Sequence, residues 1–125
     1  MSHPRTYDDT DPFLAEVRRL ALALPETAEV EAWGRPTFRA GKKMFAMFVH
    51  QEPHGHGLVF KPEPGEKPAL LADGRFYDPP YTGPAGWVGL DFTVGTVDWA
   101  EVAELLEGSY RQVALKRMLA KLEDR

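Results

Sequence analysis

Apolar residues recur along the chain with two periods, and the change from one to the other divides it into elements. In "TDPFLAEVRRLALALP", Phe13, Leu14, Val17, Leu20, Ala21 and Leu24 fall at helical spacing, with Glu16 and Arg19 opposite. Thr10 or Asp11 supplies an N-cap, Pro12 suits the first helical position because its missing N–H needs no partner there, and Pro25 is the stop. This stripe predicts a helix packed on a sheet. In "EVEAWGRPTFRAGKKMFAMFV" the pattern becomes that of strands joined by tight turns. Gly34 and Pro36 interrupt it, and Gly41-Lys42 suits a two-residue hairpin turn. Met44, Ala46 and Phe48 are expected on one face of the following strand and Phe45, Met47 and Val49 on the other. A strand apolar on both faces belongs in the middle of a sheet, covered on each side.

Beyond it, "HQEPHGHG" reads as a loop, "LVFKP" as a short strand ended by proline, and Glu66 to Ala72 as a brief helix before an Asp73-Gly74 turn. The Pro/Gly-rich "PPYTGPAG" leads into "WVGLDFTV", a strand with Val88, Leu90 and Phe92 on one face and Trp87, Gly89 and Asp91 on the other. Two helices are expected to close the chain. Asp98 caps the first, with Glu101 in capping-box relation and Trp99, Val102, Ala103 and Leu106 as its stripe, and Gly108 ends it. Ser109, with Gln112, caps the second, whose apolar face is Leu115, Met118, Leu119 and Leu122. Lys116, Arg117 and Lys121 lie opposite, near a helix C-terminus that favours cations, and the stem of Arg111 falls toward the apolar stripe. No repeat or linker divides the chain, so residues 1–10 form a polar head that need not be ordered and 11–125 a single domain.

Charge changes the picture more than composition does. Between Trp33 and Lys61 the chain carries Arg35, Arg39, Lys42, Lys43 and Lys61 against Glu52 alone, a net of +4. Since the total is -4, the remainder carries -8. A local positive field attracts anions whatever the net charge. No apolar run approaches the roughly 20 residues that cross a bilayer, and the N-terminus is too polar for a secretory signal, so a cytoplasmic protein with no membrane contact is expected. The absence of cysteine excludes disulfides, a thiolate nucleophile and a zinc ribbon.

Candidate chemistry narrows by elimination. His50, His54 and His56 sit in a Gly/Pro loop with only Glu52 as a nearby carboxylate, and their spacing matches no zinc signature, so no metal is expected. Ser109 reads as a cap, no nucleophile elbow exists, and "GPAGWVG" enters a strand instead of opening a helix, so no catalysis and no cofactor are expected. What remains is the company of the five cations with Trp33, Phe38, Tyr77, Tyr81 and Trp87. Nucleic-acid proteins use cations for phosphate and flat rings for bases. The same residues serve equally as core (Phe38), as packing at sheet edges (the tryptophans) and as solvated charge on a hairpin.

Taken in order, "EAWGRPTFRAGKKMFAMF", "LVFK", "FYDPPYTGPAGWVGLDF" and "LLEGSYRQVA" resemble the MmcQ/YjbR family over nearly the whole chain after the polar head. The matching features are Trp33, Gly34, Pro36 and Phe38, then Gly41, Lys42, Lys43, Phe45 and Ala46, then Lys61, Tyr81 and Trp87, and finally Ser109 with Tyr110. The resemblance implies an α+β fold: a curved, mainly antiparallel sheet with an N-terminal helix and two C-terminal helices packed on it, in a double-wing, CyaY-like arrangement similar to the DNA-binding domain of a phage transcription factor. It also implies DNA binding; taken with the residues, a non-enzymatic monomer that binds DNA, or RNA, is expected. Arg35, Arg39, Lys42, Lys43 and Lys61 would contact phosphate, and Trp33, Tyr77, Tyr81 and Trp87 would offer flat contacts. With no asparagine and only Gln51 and Gln112 as amides, base reading falls to Arg35 or Arg39 on guanine. The competing expectation, motivated by an acidic remainder that repels a polyanion, is a small-anion or metabolite binder, or a protein-interaction module, using the same surface.

Overall fold

A computed structural model of the chain describes residues 3–50 and 53–124. Gln51 and Glu52, an amide weighed for adenine and the one acid of the basic segment, lie outside the described residues. Helix α1 (Pro12–Leu22) begins where its caps predict: Asp11 Oδ1 accepts the Phe13 N–H at 2.9 Å and Pro12 takes the first position. Its stripe packs into the main core. The Thr27 hydroxyl then donates to the Ala21 and Leu24 carbonyls (3.1 and 2.9 Å), which binds the end of the helix to the start of the sheet.

Six strands form one sheet: β1 (Thr27–Ala32), β2 (Arg35–Ala40), β3 (Lys43–His50), β4 (His56–Phe60), β5 (Phe76–Tyr77) and β6 (Val88–Asp91). Every pairing is antiparallel, in the order β1-β2-β3-β4-β6-β5. Helix α2 (Lys67–Leu71) and a 3-10 turn (Gly83–Ala85) lie in the connections, and α3 (Trp99–Val113) and α4 (Lys116–Glu123) follow the sheet. The architecture is the expected α+β one, with β3 inside the sheet and buried from Phe45 to Val49.

Two details differ from simple alternation. Phe38 opposes Ala46 but Arg39 opposes Met44, so Phe45 has no partner on β2. This bulge turns Met44 toward Met47, Val49 and Val59, while Phe45 joins Ala46 and Phe48 in the main core, the reverse of the expected facing for residues 44 and 45. The second detail follows from the first. Ser109, buried inside α3, donates from Oγ to the Phe45 carbonyl (2.5 Å) and accepts the Lys61 N–H (2.9 Å). Its hydroxyl ties β3 to β4 and is not a cap, so α3 runs through Gly108 to Val113 and the chain breaks at Ala114 and Leu115, both extended (ψ 146° and 158°). Leu115 is left exposed, and α4 buries Met118 and Leu122.

Asp98 caps α3 through the N–H groups of Ala100 and Glu101, but the Glu101 carboxylate turns to Arg75 Nη1 (2.6 Å) instead of completing a capping box. Arg117 and Lys121 both reach Glu26 at 3.0 Å, which binds α4 to the start of the sheet. Among the described residues no helix is long and apolar enough to cross a membrane.

Candidate anion-binding site

Both turns that frame β2 have two residues. Gly41-Lys42 joins β2 to β3, as expected, with Ala40 opposite Lys43. Trp33-Gly34 joins β1 to β2, with Ala32 opposite Arg35 and both turn residues at positive φ (56° and 74°), the geometry of a type I′ hairpin. Gly34, expected to interrupt a strand, thus makes the turn, and it also admits the N-terminal segment. A Cβ at Gly34 would lie 1.9 Å from the Pro4 carbonyl oxygen, and Thr6 donates to the Gly34 carbonyl from N–H (2.9 Å) and hydroxyl (3.0 Å).

Register then sorts charge between the two faces. Glu29 opposes Phe38 and Glu31 opposes Pro36, which puts both acids on the helix-covered side. There Glu29 takes Arg18 (2.7 Å) and Glu31 accepts the Tyr7 hydroxyl (2.6 Å). Ala28, Val30 and Ala32 oppose Arg39, Thr37 and Arg35 on the other face. So this end of that face displays two arginines and, from β1 and β2, no carboxylate.

Those arginines are unlike the other described ones. Arg5, Arg18, Arg19, Arg75, Arg111 and Arg117 each reach a carboxylate. Arg35 and Arg39 reach none among the described residues, and the Nε of each is buried without a hydrogen-bond partner there. An unsatisfied buried donor costs about 1–3 kcal/mol, and more when charged. Arg35 also lies close enough to act on Tyr77, whose hydroxyl is pushed up to about 12 by burial first and then by Asp91, with Arg35 opposing.

Arg35 forms part of the floor of a cleft of about 470 Å³, with Met47, Trp33, Tyr81, Pro80, Thr82 and His3 around it. It is larger than the clefts beside Glu63 and Glu104 (about 220 Å³) and beside Lys61 and Pro64 (about 210 Å³). Trp33 is 53% and Tyr81 94% exposed. Both are held at positive φ (56° and 68°), a region that costs a bulky residue roughly 1–2 kcal/mol. The Thr82 hydroxyl is buried and, like Arg35 Nε, has no partner among the described residues.

The residues singled out by sequence are therefore distributed. Arg35, Trp33 and Tyr81 meet in the cleft, and Arg39 shares its sheet face. Lys42 and Lys43 are exposed at the β2–β3 turn, while Lys61, half-buried, lines the smaller cleft beside Pro64. Trp87 packs against Met47, Val49 and Val59, and Phe38 is core. Tyr77 is buried, with His54 stacked on its ring (3.9 Å between centroids) and the ring lying over Gly89, so it serves as a wall and offers no free face. Thr82, Met47 and His3 carry no motif; only the fold brings them to Arg35. The histidines diverge, His56 to Asp11 and His54 to Tyr77 and Asp91, and among the described residues no group of three or more His, Asp or Glu side chains is placed to hold a metal.

A protein-family model described as YjbR matches residues 22–112. Among solved structures, the chain is similar to the crystal structure of Deinococcus radiodurans protein DR2400, a DUF419 domain, at 24% identity and a TM-score of 0.66, covering 88% of this chain and 87% of that one. No curated protein matches the chain.

Proposed function

The chain belongs to the YjbR family, and on that premise we propose that it is a non-enzymatic nucleic-acid-binding protein, with double-stranded DNA its first candidate partner. The supporting observation is the strip of uncompensated cations along β2 and its turn. Arg35 and Arg39 have no carboxylate among the described residues, Lys42 and Lys43 stand exposed where the strand ends, and the acids of β1 point the other way. Phosphates are the ligand such a strip suits, because each contact releases a condensed counterion and needs no shaped pocket. Trp33 and Tyr81 add flat surface beside it, as proteins that hold unstacked bases require.

Fluorescence anisotropy of labelled double-stranded DNA, single-stranded DNA and RNA, titrated over a range of salt, tests this. Binding tighter than about 10⁻⁴ to 10⁻⁶ M, with log affinity falling linearly against log salt, is expected. The Lys42→Glu/Lys43→Glu variant should weaken binding uniformly across sequences and make the salt slope shallower by about 2, roughly 1 for each lost contact. No binding at low salt removes the proposal. Unchanged affinity in the variant removes the hairpin from it.

A further inference from the structure

Trp33 and Tyr81 occupy backbone positions that suit neither ring. Asn-Gly is the common sequence of a type I′ turn, so the Trp33-Gly34 turn has no need of an indole. Nor does the core, since Trp33 is half-exposed and Tyr81 almost wholly so. Strain of this kind, held in place by the surrounding structure, clusters at ligand sites. Here both strained rings border one cleft that Arg35 and Thr82 also line, and Arg35 Nε and the Thr82 hydroxyl are each buried without a partner among the described residues. Among the described residues, none that lines the cleft is acidic.

These features fix the chemistry of an occupant. The lining is largely apolar with two exposed aromatic rings, and one lining group is a permanent cation. The volume, about 470 Å³, exceeds what a bare phosphate fills and falls within the range of roughly 300–1,000 Å³ typical of small-molecule sites. We infer that the cleft binds one flat aromatic ring carrying an anionic oxygen group, of the size of a mononucleotide. The ring stacks against Trp33 and Tyr81, and the anionic oxygen pairs with the partly exposed Arg35 guanidinium. The site stands whether or not a strand crosses the face, since Lys42 and Lys43 do not line it.

Calorimetric titration and thermal unfolding with AMP, adenosine, inorganic phosphate and benzoate test it, beside a 15-nucleotide single strand. AMP should bind and raise the melting temperature, with adenosine and phosphate each about tenfold weaker or more, because each lacks half of the recognition. Trp33→Asn and Tyr81→Asn keep residues that tolerate positive φ, so both should fold at least as well as the parent while losing about tenfold or more in AMP affinity. Arg35→Gln should lose the preference for AMP over adenosine. Lys42→Glu/Lys43→Glu should leave AMP binding unchanged. The inference is overturned if neither AMP nor benzoate binds at millimolar concentration, or if AMP binding survives in Trp33→Asn and Arg35→Gln. Oligonucleotide binding without AMP binding rejects the cleft alone, and AMP binding without oligonucleotide binding rejects only the strand-tracking surface.

Discussion

Tyr77 can lie flat over β6 because residue 89 has no side chain. A Cβ at Gly89 would meet the ring at 2.3 Å, far inside van der Waals contact, so the ring as a whole has to move. Gly89→Ala must therefore tilt the ring off the sheet, away from His54, and overpacking of this kind costs about 1–3 kcal/mol. Urea unfolding should show the loss as a lower midpoint at unchanged m-value. Tyr81 predicts the opposite sign. Its side chain is 94% exposed and its φ is 68°, so Tyr81→Asn removes strain at little loss of burial and should raise stability by up to about 1 kcal/mol. Neither effect could be read from the sequence, where Gly89 appears only as a small residue on one face of a strand and Tyr81 as an aromatic in a Pro/Gly loop. The reasons lie in Tyr77, 12 residues from Gly89, and in a backbone angle set by the loop's path.

Elements were legible where their own residues decide them, and illegible where a distant partner does. The stripe and caps of α1, the Gly41-Lys42 turn and the facing of β6 are local consequences of spacing and of N–H groups that need acceptors. The end of α3 is not local. Ser109 looks like a cap in sequence, and only the carbonyl of Phe45, freed by the bulge and 64 residues away, takes its hydroxyl into the sheet. A clamp between elements yields a pH prediction by the same reasoning. Arg75 joins the turn before β5 to α3 through Asp73 (2.7 Å) and Glu101 (2.6 Å). The Asp73 carboxyl is drawn from 3.8 down to about 2, chiefly by the Arg75 side chain and then by its backbone N–H. A depressed folded-state value gives stability that is complete above pH 3.8 and lost as pH falls through about 2. Urea midpoints between pH 4 and 2 should thus fall more steeply for the parent than for Asp73→Asn, and parallel curves would show that this clamp does not couple to folding.

Across the whole molecule, charge is separated by register. The acids of β1 point toward the helices, Glu26 takes Arg117 and Lys121 from α4, and Glu101 takes Arg75, so much of the negative charge is committed to fastening helices. The basic run is exceptional in the sequence for its count of cations; in the fold it is exceptional because two of its arginines keep a buried Nε without a hydrogen-bond partner among the described residues. A folded state that keeps Arg35 and Arg39 in this condition sacrifices stability that an apolar residue of similar reach would restore, as removal of unsatisfied buried polar groups generally does. The double variant Arg35→Met/Arg39→Met should accordingly be as stable as the parent or more so, by about 1 kcal/mol, since Met keeps an apolar stem where Arg39 pairs with Met44 and Arg35 lines the cleft with Met47. Anion response should move the other way. At matched ionic strength, sulfate or phosphate should raise the parent's melting temperature more than chloride does, after allowing for the general salting effect seen in the variant, because an anion held by the native face alone stabilises by mass action. If parent and variant show the same difference between sulfate and chloride, the two arginines hold no anion, and the proposals for this face lose their common support.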